Sequence, residues 1–362
     1  MGEMDTRKSV AWKKGSSVYR KGKWQTVIFI ACLLLLVIII GSSMIGPVRI
    51  SWQDIWALLT KVVFGGEELQ SVGQAGVIVG QIRLPRILFA ALVGGGLAGC
   101  GCALQGIFRN HLADPGLIGT SVGAGLGAVG VIVLGENLMG KIPPPWILPI
   151  CAFITSLAVT LVVYRLSLRD GRVNMALMLL AGVAMNAIGG ALIAFLSYLA
   201  DDQQLRSILF WNLGSFTGLT WLKVLWGGPV IIFAVIILLR QAGPLHVFLL
   251  GEGEAKMLGV RTEKLKARIL VLSALLCAAS VSFTGVIGFV GLVVPHIVRL
   301  VTGSDQRILM PVSVLVGAGL LVSMDTLART LMAPVELPIG ILTAFAGGPV
   351  FLWLLHRAGK RI

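Results

Sequence analysis

Three patterns in this chain have the residue types of catalysis or ligand binding. Gly119-Thr120-Ser121-Val122-Gly123 has the spacing of a nucleophile elbow. That motif works only on a strand-to-helix turn, beside an oxyanion hole and a His–acid pair. Here it lies in a glycine-rich apolar stretch, so catalysis by Ser121 is disfavoured. Gly135-Glu136-Asn137-Leu138-Met139-Gly140-Lys141 has the spacing of a phosphate-binding loop. Ile142 follows where Ser or Thr must hold magnesium, so the chain has no nucleotide site of its own. The histidines are His111, His246, His296 and His356. No two stand at i,i+3 or i,i+4, and none pairs with a cysteine at ligand spacing, so no metal site is expected. The five cysteines, Cys32, Cys100, Cys102, Cys151 and Cys277, read as packing residues in apolar stretches.

The remaining polar signals gather at the edges of apolar blocks. Arg83-Leu84-Pro85-Arg86 and Asp325-Thr326-Leu327-Ala328-Arg329 sit at block ends. Such arginines either snorkel and pair with Asp325 and Glu336, or dock an acidic partner. Leu249 to Arg261 lies in a long polar connection, where Glu254 to Gly259 can form a short helix ended by Gly259. That helix either braces the structure or serves as a handle for a soluble partner.

What must position these groups is a membrane bundle. Of the 362 residues 56% are hydrophobic and 13% charged, and the mean hydropathy is +0.92. Soluble domains carry about 25% charged residues. A soluble enzyme, a nucleic-acid-binding domain and a disordered chain are therefore excluded. The net charge of +14 needs no nucleic acid, because cytoplasmic loops of membrane proteins collect Lys and Arg.

Nine uncharged blocks fall at 24–48, 87–108, 115–135, 142–164, 173–200, 224–239, 269–298, 308–324 and 337–356. The stretch 207–222 is short and polar enough to be interfacial. Block 269–298 is long for one span and holds Gly285, Gly288, Gly291 and Pro295, which predict a break near Gly285–Gly288. Both termini are basic, with seven Lys and Arg before Trp24, so both are expected in the cytoplasm and the crossings should be even. Splitting 269–298 gives ten crossings, with 22 Lys and Arg inside and eight outside. Residues 1–23 form a basic cytoplasmic tail, 24–356 one transmembrane domain, and 357–362 a cytoplasmic tail. The N-terminal apolar run is a retained anchor rather than a cleaved signal. Outside, Ser51–Thr60 predicts a surface helix anchored by Trp52, Ile55 and Trp56. Gly95 and Gly99, and Gly119, Gly123 and Gly127, predict close helix packing within one bundle. The span centres carry no charge, which disfavours an ion-coupled secondary transporter.

In order along the chain, Arg83–Arg86, Gln105–Gly119, Leu180–Val183, Phe210–Ser215, Gly253–Arg261, Gly288–Arg299, Asp325–Arg329 and Glu336–Gly340 resemble the FecCD-type permeases. These are the membrane subunits of ABC importers for ferric siderophores, haem and vitamin B12, and the match runs from about Ile50 to Leu355. The resemblance implies an all-α polytopic membrane protein of about ten helices with the type II importer permease fold. It further implies a bacterial cytoplasmic membrane location, a second permease subunit, identical or paralogous, and two cytoplasmic ATPases that hold ATP and magnesium. No cofactor is expected on this chain. The other implied partners are a substrate-binding protein outside, an iron–siderophore substrate and membrane lipid. It places binding-protein docking on Arg83, Arg86 and Arg329. ATPase coupling falls on Glu252, Gly253, Glu254, Ala255, Leu258, Gly259 and Val260. The cytoplasmic gate falls near Asn110, Leu112, Met175 and Ala176. The chain departs from the family where His111 replaces a usual Pro, where Met175 and Ala176 replace a polar pair, and in its long basic N-terminal tail.

Overall fold

The computed structural model describes residues 4–48, 50–54, 56, 60, 73–140 and 142–359. Within them the protein is almost wholly helical, as a chain must be when each backbone polar group needs a partner inside lipid. The helices are α1 (Met4–Met44), α2 (Leu84–Phe108), α3 (Thr120–Met139), α4 (Ile147–Ser167), α5 (Met175–Leu199), α6 (Asp202–Asn212) and α7 (Trp221–Arg240). After these come α8 (Ala242–Phe248), α9 (Glu252–Met257), α10 (Thr262–Thr284), α11 (Val290–Thr302), α12 (Gln306–Ala328) and α13 (Ile339–Gly359). A two-residue hairpin, β1 (Leu168–Arg169) with β2 (Arg172–Val173), joins α4 to α5. Among the described residues eight helices are long and apolar enough to cross a membrane, and α11 and α13 add two shorter apolar ones.

Helix α2 is the axis of the bundle. It is apolar on every side and buried almost throughout, as a central helix should be. Its glycines set how closely the neighbours approach. A Cβ on Gly94 would lie 2.2 Å from the Gly317 carbonyl oxygen of α12, and one on Gly101 only 1.8 Å from that of Gly291 in α11. Gly95 and Gly99 meet Val314, and Gly123 and Gly127 face the α4 backbone, so both glycine series pack inside the bundle. The outer surface of α5, α7 and the Trp24–Met44 part of α1 is apolar and exposed, as faces that meet lipid or another apolar surface require.

The break in 269–298 falls where the glycines predict it. Helix α10 stops at Gly285 (φ +70°), and α11 starts after Phe289 (φ +68°). A Cβ on Gly285 would lie 2.1 Å from the Trp211 carbonyl oxygen. The loop after α6 ties this break to α13: Ser215 N donates to Thr284 O, and Ile339 N and Gly340 N donate to Gly214 O and Leu213 O. The first half of the stretch 207–222 therefore belongs to α6, which begins with an Asp201–Gln204 capping box. Of the Ser51–Thr60 segment, Trp52–Asp54 are helical and capped by Ser51, while Ile55 and 57–59 lie outside the described residues. Lys141, Lys360, Arg361 and Ile362 also lie outside them. Ser121 sits in the first turn of α3, after a tight 3-10 turn at Pro115–Ile118 and not after a strand.

Candidate functional site

At one end of the bundle the arginines meet. Arg86 places Nε and Nη2 on Asp325 at 2.9–3.0 Å, and Nη1 on Glu336 at 2.9 Å. Glu336 also accepts the Thr217 hydroxyl at 2.6 Å. Arg83 donates to Ser43 O at 2.6 Å and to Val48 O. Arg329 donates to Ser42 O at 2.5 Å and Ser42 Oγ at 2.7 Å. The four ionised groups Arg83, Arg86, Asp325 and Arg329 are at most 7% exposed. Of the two readings open for these arginines, pairing of Arg86 with Asp325 and Glu336 is present in the chain. Direct contact between Arg86 and an acidic partner requires Glu336 or Asp325 to be displaced, and Glu336, on Nη1, is the more exposed of the two. Three guanidiniums against two carboxylates still leave the cluster net positive, so it attracts an acidic surface through its field.

At the other end lies the helix α9. It starts at Glu252, two residues before the expected Glu254, after Gly251 turns the chain at φ +148°. It ends in a Schellman motif: Val260 N donates to Ala255 O, and Gly259 N donates to Lys256 O, with Gly259 at φ +83°. A Cβ on Gly259 would meet nothing within 4 Å, so only backbone conformation demands glycine there. Ala255 is the buried side of the helix, whereas Leu250, Met257 and Leu258 stand 64–82% exposed. Gly253 is open, with no neighbour within 4 Å of a Cβ.

The expected gate residues occupy two loops. Asn110 Oδ1 accepts Leu112 N at 2.9 Å, forming a turn just after α2. Met175 and Ala176 open α5, where Asn174 caps Ala176 N and Leu177 N. Among the described residues no hydrogen bond joins these two pairs. The 3-10 turn at Pro115–Ile118 meets α5 instead, where Gly182 lies against Leu117 O and Asn186 Nδ2 donates to Gly116 O at 3.2 Å.

Two ties link these loops to α9, and sequence reasoning missed both. Arg109, at the end of α2, donates to Phe248 O at 3.0 Å and stacks 5.1 Å over the Phe248 ring, at the foot of the α9 loop. Lys266 of α10 is 3% exposed. Its Nζ lies 3.4 Å from Glu252 and 2.6 Å from Glu263, and donates to Val173 O at 3.4 Å. Glu263 Oε2 in turn accepts Val173 N at 3.0 Å. The hairpin before α5 is therefore fastened to α9 through one buried ammonium. The available signal was a lysine just before an apolar run, with Glu263 three residues away, but its other partners are 14 and 93 residues away.

Partial burial raises the Glu252 carboxyl, but the Lys256 hydrogen bond and the Lys266 charge outweigh it and hold it at about 2. A depressed carboxylate stabilises above its unfolded value of about 4.3 and loses that contribution as pH falls through the folded value. The tie is thus fully formed at any pH above about 4.3.

This geometry predicts a dissociation of stability from coupling. Lys266→Met leaves two carboxylates behind, but both are about a third exposed and keep Lys256 and Val173 N, so the loss of stability should be about 1 kcal/mol or less. Where the coupling role expected of α9 holds, uptake per ATP hydrolysed should nevertheless fall by at least about fivefold, the low end of coupling between linked sites. The double change Glu252→Gln, Glu263→Gln strands the ammonium and should cost about 3–5 kcal/mol. Thermal midpoints of the purified chain and transport-to-hydrolysis ratios of the reconstituted complex measure the two effects.

Eight helices able to cross a membrane and two shorter apolar ones among the described residues, with polar clusters at both ends, define a multi-pass membrane protein. The chain belongs to the FecCD transport family, whose model matches residues 9–357. It is similar to the hemin transport system permease protein HmuU of Yersinia pestis, with 43% identity over 93% of this chain and 97% of that protein. It is also similar to the cobalamin import system permease protein BtuC of Halobacterium salinarum, with 42% identity over 78% of this chain and 74% of that one. A solved structure described as an inward-facing conformation of a putative metal-chelate type ABC transporter superposes with a TM-score of 0.79. It has 32% identity and covers 92% of this chain and 99% of its own.

Proposed function

We propose that this chain is the permease of an ATP-driven bacterial importer for an iron chelate. The observation that carries the coupling half of this reading is α9. It is a short helix closed by a Schellman motif, with exposed Met257 at its end and exposed Leu250 and Leu258 flanking it, and Arg109–Phe248 and Lys266 tie its surroundings to the two loops assigned to the gate. An ATPase that grips Leu250, Met257 and Leu258 thereby pulls on both loops. Two ATPase subunits, one under each of two permeases, would switch the pair between outward- and inward-open packings. Both termini then lie in the cytoplasm. The exposed face of α5, including Leu180, Val183 and Phe195, is left for the second permease and the path between the two. A binding protein docks at the opposite end over the Arg83, Arg86 and Arg329 cluster and reads its field.

The named substrates of the relatives, hemin and cobalamin, support a large metal chelate as cargo. An iron(III)–siderophore is one such chelate. Hemin is named for a relative that matches 93% of this chain, and vitamin B12 for one that matches 94% of it. The test is uptake by proteoliposomes holding permease, ATPase and binding protein, offered hemin, a ferric siderophore and cobalamin in turn. An iron chelate should accumulate only with internal ATP. Accumulation driven by an ion gradient without ATP would overturn the importer reading, and accumulation of cobalamin alone would overturn the choice of cargo.

A further inference from the structure

We infer that a cleft between α1, α11 and α12 is a binding site for one anionic glycerophospholipid, on the side of the bundle that carries α9. The cleft has two continuous parts. The polar part is a cavity of about 530 Å³ walled by Trp24, His246, Ser304, Asp305 and Arg307. The apolar part is a groove of about 400 Å³ that shares Val27, Val301 and Thr302 with it. The groove follows Val27, Ala31, Leu34 and Ile38 on one face of α1 and ends beside Gly319 and Ser323 of α12. From Val27 to Ile38 it runs roughly 16 Å at about 1.5 Å per residue. Half of a hydrocarbon core is about 15 Å. The groove thus spans one leaflet, and the polar cavity stands where a headgroup lies.

Charge selects the headgroup. Arg307 stacks 5.6 Å over the Trp24 ring and pairs with Asp305 through Nε and Nη2 at 2.9 and 2.7 Å. The third nitrogen, Nη1, has no hydrogen bond among the described residues, and the side chain is 53% exposed. It is therefore free to take a phosphate oxygen while Asp305 holds the other edge of the fork. His246 Nδ1 lies 3.6 Å from Asp305 on the same wall. Arg20, Lys21 and Lys23 precede Trp24 in the sequence. With the free Nη1 of Arg307 in the wall, a phosphate that is not neutralised by its own amine is preferred. A bound chain would fill the side of α1, which is otherwise among the least covered helices of the bundle.

The test is native mass spectrometry of the full-length permease with phosphatidylglycerol or phosphatidylcholine of the same acyl chains. One phosphatidylglycerol should be retained in preference. Arg307→Gln should weaken that retention about fivefold, the effect of roughly one cation at an anionic surface. Val301→Trp, at a lipid-facing position 78% exposed, should fill the mouth of the groove and lower retention of both lipids without lowering the lipid-free thermal midpoint. Equal retention of the two lipids by the unmodified chain, or undiminished retention in either variant, overturns the site. None of these readings involves transport, so they stand apart from the importer assignment.

Discussion

Asp325→Ala is expected to remove about 3–5 kcal/mol of permease stability, because it breaks a buried ion pair and leaves one charge behind. Asp325 is 1% exposed and takes both Nε and Nη2 of Arg86. Without it, those two donors face a buried wall, and only Nη1 keeps a partner, in Glu336. Glu336→Gln should behave differently. Its side chain is 31% exposed, so water replaces what the substitution removes, and the loss should be about 1 kcal/mol or less. Unfolding midpoints of the purified chain separate the two. The same comparison decides how the arginines serve docking. If the binding protein reads the field of the cluster, Arg86→Ala should weaken docking per folded permease, whereas Asp325→Ala should lower it only through the folded permease lost. Wild-type stability in Asp325→Ala would show that the cluster does not hold this end together.

Leu258→Glu is expected to abolish uptake while leaving the chain itself folded. Leu258 is 64% exposed, so the substitution removes nothing from the core. The loss arises when a partner covers it. Full burial of a leucine stabilises by about 1.5–3 kcal/mol, and an unpaired carboxylate in its place costs several kcal/mol more. A swing of about 3 kcal/mol already weakens association by roughly a hundredfold. Binding-protein docking at the other end, roughly 30 Å away across the hydrocarbon core, should persist. Gly259→Ala is a milder form of the same change. It forces a Cβ into φ +83° and should loosen the end of α9 by about 1 kcal/mol.

Much of the architecture was legible because its signals are local. The break between α10 and α11 could be read from Gly285, since a positive φ is written in the residue that adopts it, whereas Phe289 adopts one without any such signal. The end of α9 at Gly259 was readable for the same reason. Its start was not. Glu252 joins the helix while held by Lys266, and that lysine comes from the next helix. The motifs at Gly253–Arg261 and Asp325–Arg329 gave the family, which the match over residues 9–357 confirms. Asp325 and Glu336 stood in one of the two readings of the arginines, but which arginine they take, and the distant partners of Lys266, stayed hidden. Arg86 and Asp325 are 239 residues apart, and Lys266 reaches a carbonyl 93 residues away. Whether an arginine at a span end faces a partner protein or a buried carboxylate depends on such long-range packing, which no spacing encodes. The gate positions were carried by resemblance alone, and at Met175 and Ala176 the chain offers apolar side chains in place of the family's polar pair.

The central claim is that α9 couples an ATPase to transport. It is tested most directly by ATP hydrolysis stimulated by loaded binding protein in proteoliposomes, measured beside uptake for the unmodified complex and for Leu258→Glu. The account predicts ATP-dependent uptake with stimulated hydrolysis in the first. In the second it predicts no uptake, with the ATPase either lost on purification or no longer stimulated. Normal co-purification, normal stimulation and normal uptake with Leu258→Glu would contradict it.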